Sequence, residues 1–210
     1  MDQETAEVNA GVRVFAKDIA DQDRKDILDL MLYAQVSASK KYDKNEQSSQ
    51  WMNYYQGRLI KYGCTLTAFI EPDVVVVSDL PSFREIEFKV AGASGVQPFI
   101  AHAKASFAAL QISKKAMDFF RGYSGTERSI TVNVSSVELA EEGAVLLLFC
   151  GIHFSSSIEV KKFFFEDEKF YDLTIHPNGG AFLFDRDKYT THRANILRQL
   201  KEASAGIFNP

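Results

Sequence analysis

The sequence predicts an α+β fold, a three-layer α/β/α arrangement in which two helix pairs flank a largely antiparallel sheet and a C-terminal helix follows. Apolar residues recur at helical spacing in two regions before residue 120, and from Arg128 onward they alternate as in strands. The stretch Ala144 to Phe154 is almost continuously apolar, which is typical of a strand buried on both faces. Such a sheet needs two covering layers, and the two helix pairs are expected to supply them.

Length and composition favour a single globular domain over residues 1–210. The chain is 46% hydrophobic and 25% charged, which suits a packed core and excludes general disorder. Residues 1–16 lack strong periodicity and are expected to form an arm, or a short strand around Val12, Val14 and Phe15. Neither a linker nor an internal repeat divides the sequence.

The first helix pair is predicted between Asp23 and Gly63. Asp23 is placed to cap a helix whose apolar residues recur at i, i+3, i+4, i+7 and i+11, namely Ile27, Leu30, Met31, Ala34 and Ala38. The polar stretch Asp43 to Ser49 turns the chain. Gly63 then ends a second helix, whose stripe is Trp51, Tyr54, Tyr55, Leu59 and Tyr62. The two helices are expected to form a hairpin.

Short strands and a second helix pair are predicted next. Thr65 to Glu71 and Val74 to Ser78 have strand patterns around a Pro72-Asp73 turn. Ser82 to Glu85 has capping-box spacing and begins a short helix that ends in the loop Gly92 to Gly95.

A longer helix completes the second pair. Pro98 suits its first turn, and the helix is expected to continue towards Phe120. Its apolar stripe comprises Phe99, Ile100, Ala103, Phe107 and Leu110.

The second half of the chain is predicted to supply the main strands. Residues 130–134 alternate in polarity, and a slip at Ser135-Ser136 predicts a bulge. Hairpin turns are expected at Glu141 to Gly143 and at Ser155 to Ser157. Two further strands are predicted, at Ile158 to Glu166 and Phe170 to His176.

A terminal helix is predicted after a strong turn signal. The signal is Pro177 to Gly180, a Pro-Asn-Gly-Gly sequence. Asp187 is then placed to cap the helix, whose apolar residues are Tyr189, Ile196, Leu197 and Leu200.

Charge argues against nucleic acid as a partner. The formal net charge is -4 and the isoelectric point is about 5.6, so the overall field opposes binding to nucleic acid or to anionic lipid. The lysine pairs at 40–41, 114–115 and 161–162 are isolated and are typical of solvated faces. A local basic patch remains compatible with the sequence.

The polar residues predict no catalytic group, no metal site and no cofactor. His102, His153, His176 and His192 are scattered and show no metal-ligand spacing, and the common phosphate-loop and nucleophile motifs are absent. His153 lies in the most apolar strand, where a hydrogen-bonded core histidine is a simpler interpretation than a buried base. We therefore expect a protein that is not an enzyme.

The two cysteines, Cys64 and Cys150, lie in apolar strand-like stretches, which favours reduced buried thiols and leaves acylation open as an alternative. The run Phe163 to Phe165 places rings on both faces of one strand, which indicates two-sided burial or contact with lipid.

The N-terminus is acidic and polar, without the features of a Sec signal peptide. The longest purely apolar run, Ala144 to Cys150, is far shorter than the roughly 20 residues of a spanning helix. We expect a soluble protein that is cytoplasmic or is released by a nonclassical route.

The predicted order of elements resembles the Cyt-type cytolytic toxins of insect-pathogenic bacteria and the related Erwinia virulence factor fold. The resemblance is architectural and covers roughly Asp23 to Leu200. It is carried mainly by the strand segments Ser129 to Val134, Gly143 to Cys150 and Val160 to Phe165 after the second helix pair. It implies membrane damage by helix pairs that leave the sheet, without an active site.

Two functions follow as hypotheses. The first is a toxin-like or virulence-associated protein that acts on membranes by releasing amphipathic helix pairs, with membrane lipid as its partner and with self-association on the membrane. The second is a nonenzymatic binding module for an apolar ligand, such as a fatty acyl chain, or for a protein partner. The residues predicted to contact membrane or ligand are Phe99, Ala103, Phe107, Leu110, Phe163 and Phe165.

Overall fold

Three α-helices pack on one side of a mostly antiparallel sheet in the residues that the computed structural model describes: 3–7, 11–16, 18–77, 89–92, 129–140, 143–156 and 173–205. The helices are α1 (Asp21–Lys41), α2 (Ser48–Tyr62) and α3 (Arg186–Ser204). The strands are β1 (Gln3–Glu7), β2 (Gly11–Ala16), β3 (Cys64–Ile70), β4 (Val75–Val77), β5 (Val90–Gly92), β6 (Ser129–Leu139), β7 (Val145–Ser156) and β8 (Leu173–Phe184). The predicted α+β class is confirmed.

The sheet is ordered β1-β2-β6-β7-β8-β3-β5, and β4 pairs with β8 beyond the end of β3. Every described pairing is antiparallel except that of β2 with β6. Residues 1–16, for which an arm or a short strand was predicted, contain β1 and β2. The parallel contact of β2 was not foreseen, because it depends on a strand more than a hundred residues later in the chain.

The predicted first helix pair is confirmed. α1 and α2 form a hairpin, and all five predicted apolar positions of α1 are buried. Gly63 ends α2 with φ 153°, a conformation that favours glycine, and an added Cβ would lie 2.9 Å from Tyr189 Cβ. The helix therefore stops where the chain must pass tightly beneath α3.

The central strand β7 is buried on both faces, as predicted. Val145, Leu147 and Phe149 belong to one apolar cluster with residues of the three helices. Leu146 and Leu148 point to the opposite face and are also fully buried. The second helix pair and the strand at 158–166, predicted to complete the fold, lie outside the described residues.

The predicted turn at Pro177 to Gly180 is wrong. These residues continue through the middle of β8, paired with Ile152 to Phe149 of β7. Proline is tolerated because, in the described part of the chain, β8 pairs on its other side only with β4 at residues 173–175 and with β3 at residues 180–184. Glycine is needed here because the strands are closely packed, not because the chain turns. A Cβ at Gly179 would overlap the carbonyl oxygen of Phe149.

Both predicted N-caps are also wrong. α1 begins at Asp21 without a side-chain cap, and Asp23 instead accepts two hydrogen bonds from Arg186 Nε and one from its Nη2, at 2.7–2.9 Å. α3 is capped by Asp185, whose carboxylate accepts a 2.9 Å bond from the backbone N–H of Lys188, while Asp187 lies in the first turn. The position of each cap depends on the residue at which the helix begins. The spacing of apolar residues locates that residue only to within one or two positions.

Several smaller predictions differ from the structure. The β6–β7 register is continuous through Ser135 and Ser136, so no bulge forms; both serines are buried in the strand, which produced the apparent slip in polarity. Residues 71–74 link β3 to β4 along one edge of β8 without a turn. Ser155 lies within β7, Val90–Gly92 is a strand where the end of a helix was expected, and Leu197 is 40% exposed.

Candidate functional site

The face of the sheet beneath the α1–α2 hairpin changes character along its length. At the level of Leu147 it is apolar and carries Val137, Leu147 and Phe182 on three neighbouring strands. At the level of His153 the equivalent positions are polar, held by Thr131, His153 and His176. We call these the apolar end and the polar end of the contact between hairpin and sheet.

Aromatic rings of α2 fill the contact between these two ends. Trp51 is fully buried and stacks on Tyr55 with ring centroids 5.4 Å apart, and Tyr55 lies 4.6 Å from the ring of Phe149 in β7. The indole N–H of Trp51 donates a 3.0 Å hydrogen bond to Ser39 Oγ of α1. One aromatic stack thus joins both helices of the hairpin to the central strand.

Met52 of α2 packs closely against Gly151 of β7. A Cβ added at Gly151 would overlap the sulfur of Met52 and would lie 3.2 Å from Met52 Cγ. Met52 is 1% exposed, so the missing side chain at Gly151 makes room for it. This pair of positions offers a way to test whether the hairpin moves.

The polar end is organised around Thr131. Its hydroxyl donates a 2.8 Å hydrogen bond to the carbonyl oxygen of Lys44 in the hairpin loop and lies 2.9 Å from His153 Nδ1. Because the single hydroxyl proton is given to the carbonyl, Thr131 must accept from an Nδ1–H of His153. The backbone N–H of Thr131 also donates to Asn45 Oδ1 at 2.9 Å.

Amide side chains border this end of the contact. Gln56 Nε2 of α2 donates a 2.6 Å hydrogen bond to Asn178 Oδ1 of β8, whose Nδ2 donates to Asn53 Oδ1 at 3.2 Å. Asn133 of β6 lies in the same row, and its buried Oδ1 has no hydrogen-bond partner in the described structure. When hairpin and sheet separate, such groups exchange their partners for water at a small net loss of about 1 kcal/mol per bond.

Two ionisable side chains at the polar end are shifted towards their neutral forms. Burial lowers the pKa of Lys44 to about 8, and its ammonium group lies 5.2 Å from the centre of the Trp51 ring. Burial and the neighbouring His176, whose ring centroid is 5.7 Å away, lower the pKa of His153. His153 is therefore a partly buried, hydrogen-bonded histidine.

Because of His153, we expect the folded protein to become less stable as the pH decreases. Its pKa is lower in the folded chain than in the unfolded chain, so below about pH 6.5 the unfolded state binds more protons and is stabilised relative to the folded state. The loss of stability should grow as the pH decreases, until the pH is below the pKa of His153 in the folded chain. Urea unfolding midpoints measured from pH 7.5 to 5.5 should decline less in His153→Gln than in the natural sequence, and equal declines would contradict this role.

The two cysteines lie on opposite sides of the sheet core. Cys64 opens β3 and belongs to the cluster beneath the helices, and Cys150 points away from that cluster in β7. Both are free and buried, and burial raises the pKa of each thiol to about 12. Acylation of either cysteine remains an alternative drawn from the sequence alone.

Thiol titration should find two protected cysteines. A thiol with a raised pKa and no access to solvent reacts slowly, so we expect little modification of the folded protein and two equivalents after unfolding. One equivalent would indicate a covalent adduct such as an acyl group, and none would indicate a disulfide.

The residues predicted to contact membrane or ligand are not placed by the structure. Phe99, Ala103, Phe107, Leu110, Phe163 and Phe165 all lie outside the described residues, so their role stays a prediction. Within the described ranges no cluster of His, Cys, Asp and Glu could hold a metal ion. No helix in those ranges is both long and apolar enough to cross a bilayer.

Sequence reasoning missed the polar end of the contact. The pairing of His153 with His176 depends on the β7–β8 register, which the mistaken turn at Pro177 concealed. The one local signal was His153, a polar residue within the most apolar strand of the sequence.

No family model matches the chain, and no curated protein matches it. Among solved structures, the chain is similar to the Evf virulence factor, with 14% identity over 90% of this chain and 77% of that one and a TM-score of 0.43. It is also similar to the activated Cyt2Ba monomer from Bacillus thuringiensis subsp. israelensis, with 11% identity, 82% and 97% coverage and a TM-score of 0.40. A structure described as a delta-endotoxin gives 13% identity, 88% and 86% coverage and a TM-score of 0.37. These are the kinds of protein that the predicted order of elements resembles.

Proposed function

We propose that this chain is a toxin-like or virulence-associated protein that acts on membranes by releasing its α1–α2 hairpin from the sheet. The proposal includes membrane lipid as the partner and self-association on the membrane, and it requires neither a catalytic group nor a cofactor. Its support is the way in which the hairpin is attached, rather than the similar structures.

The observation that carries the proposal is the unequal polarity of the two ends of the hairpin–sheet contact. The apolar end is closely packed around Leu147 and Phe182, whereas the polar end contains hydrogen bonds, an unpartnered Asn133 oxygen and a partly buried lysine. Polar groups lose little when water replaces their partners, so separation is expected to begin at the polar end.

Ion pairs join the hairpin to another helix. The buried carboxylates of Asp23 and Asp26 in α1 pair with Arg186 and Arg193 of α3. These ion pairs can persist if the helices move away from the sheet as one layer. Movement then exposes an apolar surface with aromatic rings, of the kind that binds at the membrane interface.

A reversible tether between Met52 and Gly151 tests the release. A Cβ added at Gly151 would lie 3.2 Å from Met52 Cγ. Because Cγ is bonded to Cβ in Met52, we expect cysteines at these two positions to come near the Cβ spacing of roughly 3.5–4.5 Å that a disulfide needs. The test protein carries Met52→Cys and Gly151→Cys with Cys64→Ala and Cys150→Ala. We expect the oxidised protein to release no dye from phospholipid vesicles and the reduced protein to release it.

The control carries Met52→Cys alone in the same background, and its leakage should not depend on the redox state. Equal leakage from the oxidised and reduced double-cysteine proteins would rule out hairpin release. If neither form nor the natural sequence causes leakage, membrane action itself is contradicted.

A further inference from the structure

Positive charge is concentrated in the second half of α1, the hairpin loop and α2, within an acidic protein. Between residues 30 and 62 the sequence has five cationic side chains and only two carboxylates, a formal charge of +3 in a chain whose net charge is -4. The carboxylates are Asp43 and Glu46 in the loop, and that of Asp43 accepts 2.8 Å hydrogen bonds from the backbone N–H groups of Asn45 and Glu46. α2 has no acidic residue at all.

Three of these cations lie against tyrosine rings of the hairpin, one partly exposed and one buried. Lys41 Nζ of α1 and the Arg58 guanidinium of α2 lie 4.7 and 4.6 Å from the centre of the Tyr54 ring. Arg58 also donates a hydrogen bond to the hydroxyl of Tyr54, and Lys61 Nζ lies 5.2 Å from the centre of the Tyr62 ring. The cations are thus held by rings rather than by carboxylates in the described structure.

The same surface is accessible to solvent. Lys41 and Lys61 are exposed, and Tyr54 and Arg58 are partly exposed. We call Lys41, Tyr54, Arg58 and Lys61 the tyrosine–cation surface.

We propose that the tyrosine–cation surface docks the protein on a bilayer containing anionic phospholipid before the hairpin is released. The inference rests on the proposed membrane function and names the partner of the same hairpin. Cations that contact rings rather than carboxylates, within the described part of the chain, complement the phosphate and carboxylate groups of such lipids. Tyrosine rings suit the interface just below the headgroups.

A bilayer fits this surface better than nucleic acid does. The local charge of +3 is small, and the rest of the chain is strongly acidic, so a long polyanion would be repelled by most of the molecule. A bilayer meets only the face that turns towards it, and screening over about 8–10 Å shields the remainder at physiological salt.

Vesicle flotation with the full chain tests the docking surface. We expect tight binding to phosphatidylcholine vesicles that contain phosphatidylserine, weak binding to phosphatidylcholine alone, and loss of binding as salt rises. The double variant Lys41→Gln, Lys61→Gln should partition about 30-fold more weakly, since each lysine near an anionic surface contributes roughly a factor of five.

The matched control is Lys25→Gln, Lys201→Gln, which removes two exposed lysines from α1 and α3 outside the surface. It should bind as the natural sequence does, and thermal unfolding should show that both double variants are folded. Equal binding with and without phosphatidylserine, or equal losses in the two double variants, would overturn the proposal. Release from the vesicles by a short DNA duplex at low molar ratio would instead assign the surface to nucleic acid.

Docking and hairpin release fail in different ways. The oxidised Met52–Gly151 tether should still bind anionic vesicles, because the tyrosine–cation surface faces outward, while causing no leakage. Leakage that does not depend on phosphatidylserine would contradict docking through the tyrosine–cation surface but not hairpin release. Binding that requires phosphatidylserine, without leakage by the untethered protein, would contradict hairpin release but not docking.

Discussion

Replacing Leu147 by Asp is expected to prevent folding, and replacing Leu148 by Asp is expected to do the same from the opposite face of β7. Both leucines are fully buried in the central strand. An aspartate there is either an unpaired buried charge or a protonated acid without hydrogen-bond partners, and either state should cost more than about 4 kcal/mol. Domains of this kind are typically stable by only about 5–15 kcal/mol.

The control for these two variants is Leu197→Asp. Leu197 is 40% exposed on α3, so its replacement should change the free energy of unfolding by less than about 1 kcal/mol. Circular dichroism and thermal unfolding report the outcome. Cooperative unfolding of Leu148→Asp near the natural midpoint would mean that the second face of β7 is not covered.

Replacing Gly179 by Ala is expected to be the most damaging single-methyl change in the sheet. Its Cβ would overlap the carbonyl oxygen of Phe149 and lie 3.1 Å from Cys150 Cα. Both obstacles are backbone atoms of β7, so the central strands would have to part. The loss should exceed the roughly 1–3 kcal/mol that is typical of overpacked side chains.

Gly57→Ala is the matched control, and we expect it to raise the free energy of unfolding rather than lower it. Gly57 is exposed in the middle of α2, and a Cβ there would meet nothing within 4 Å. Alanine should stabilise the helix by roughly 0.5–1 kcal/mol. Urea midpoints of the two variants should therefore move in opposite directions, and an unchanged midpoint for Gly179→Ala would contradict the strand packing described above.

The hairpin and the central strand could be predicted because each follows from a local pattern. The stripe from Ile27 to Ala38 and the aromatic stripe of α2 place apolar side chains on one helix face, and that face is buried. β7 is apolar at successive positions, which leaves no face for solvent. Burial of this kind is the dominant favourable contribution to folding, so tertiary structure does not override it.

The polar end of the site could not be predicted because it depends on register. Thr131, His153 and His176 are remote in sequence and meet only when three strands align. Pro-Asn-Gly-Gly has the local chemistry of a turn, but strand crowding at Gly179 decides its conformation.

The tyrosine–cation surface illustrates the same limit. Lys41 belongs to a lysine pair that the sequence assigns to a solvated face, and the side chain is indeed exposed. Its contact with Tyr54 forms across two helices and follows from their packing angle. The net charge of -4 argues against an anionic partner, whereas the local charge of +3 over residues 30–62 favours one.

Fluorescence of Trp51 measures hairpin release most directly. It is the single tryptophan of the chain, it lies in α2, and it is fully buried against the sheet side of the hairpin. Bromine on a lipid acyl chain quenches an indole only on close approach. With phosphatidylcholine–phosphatidylserine vesicles, brominated chains should quench Trp51 in the reduced double-cysteine protein and should leave the oxidised protein unchanged, relative to ordinary chains. Leakage of those vesicles without any quenching of Trp51 would contradict the release of the hairpin.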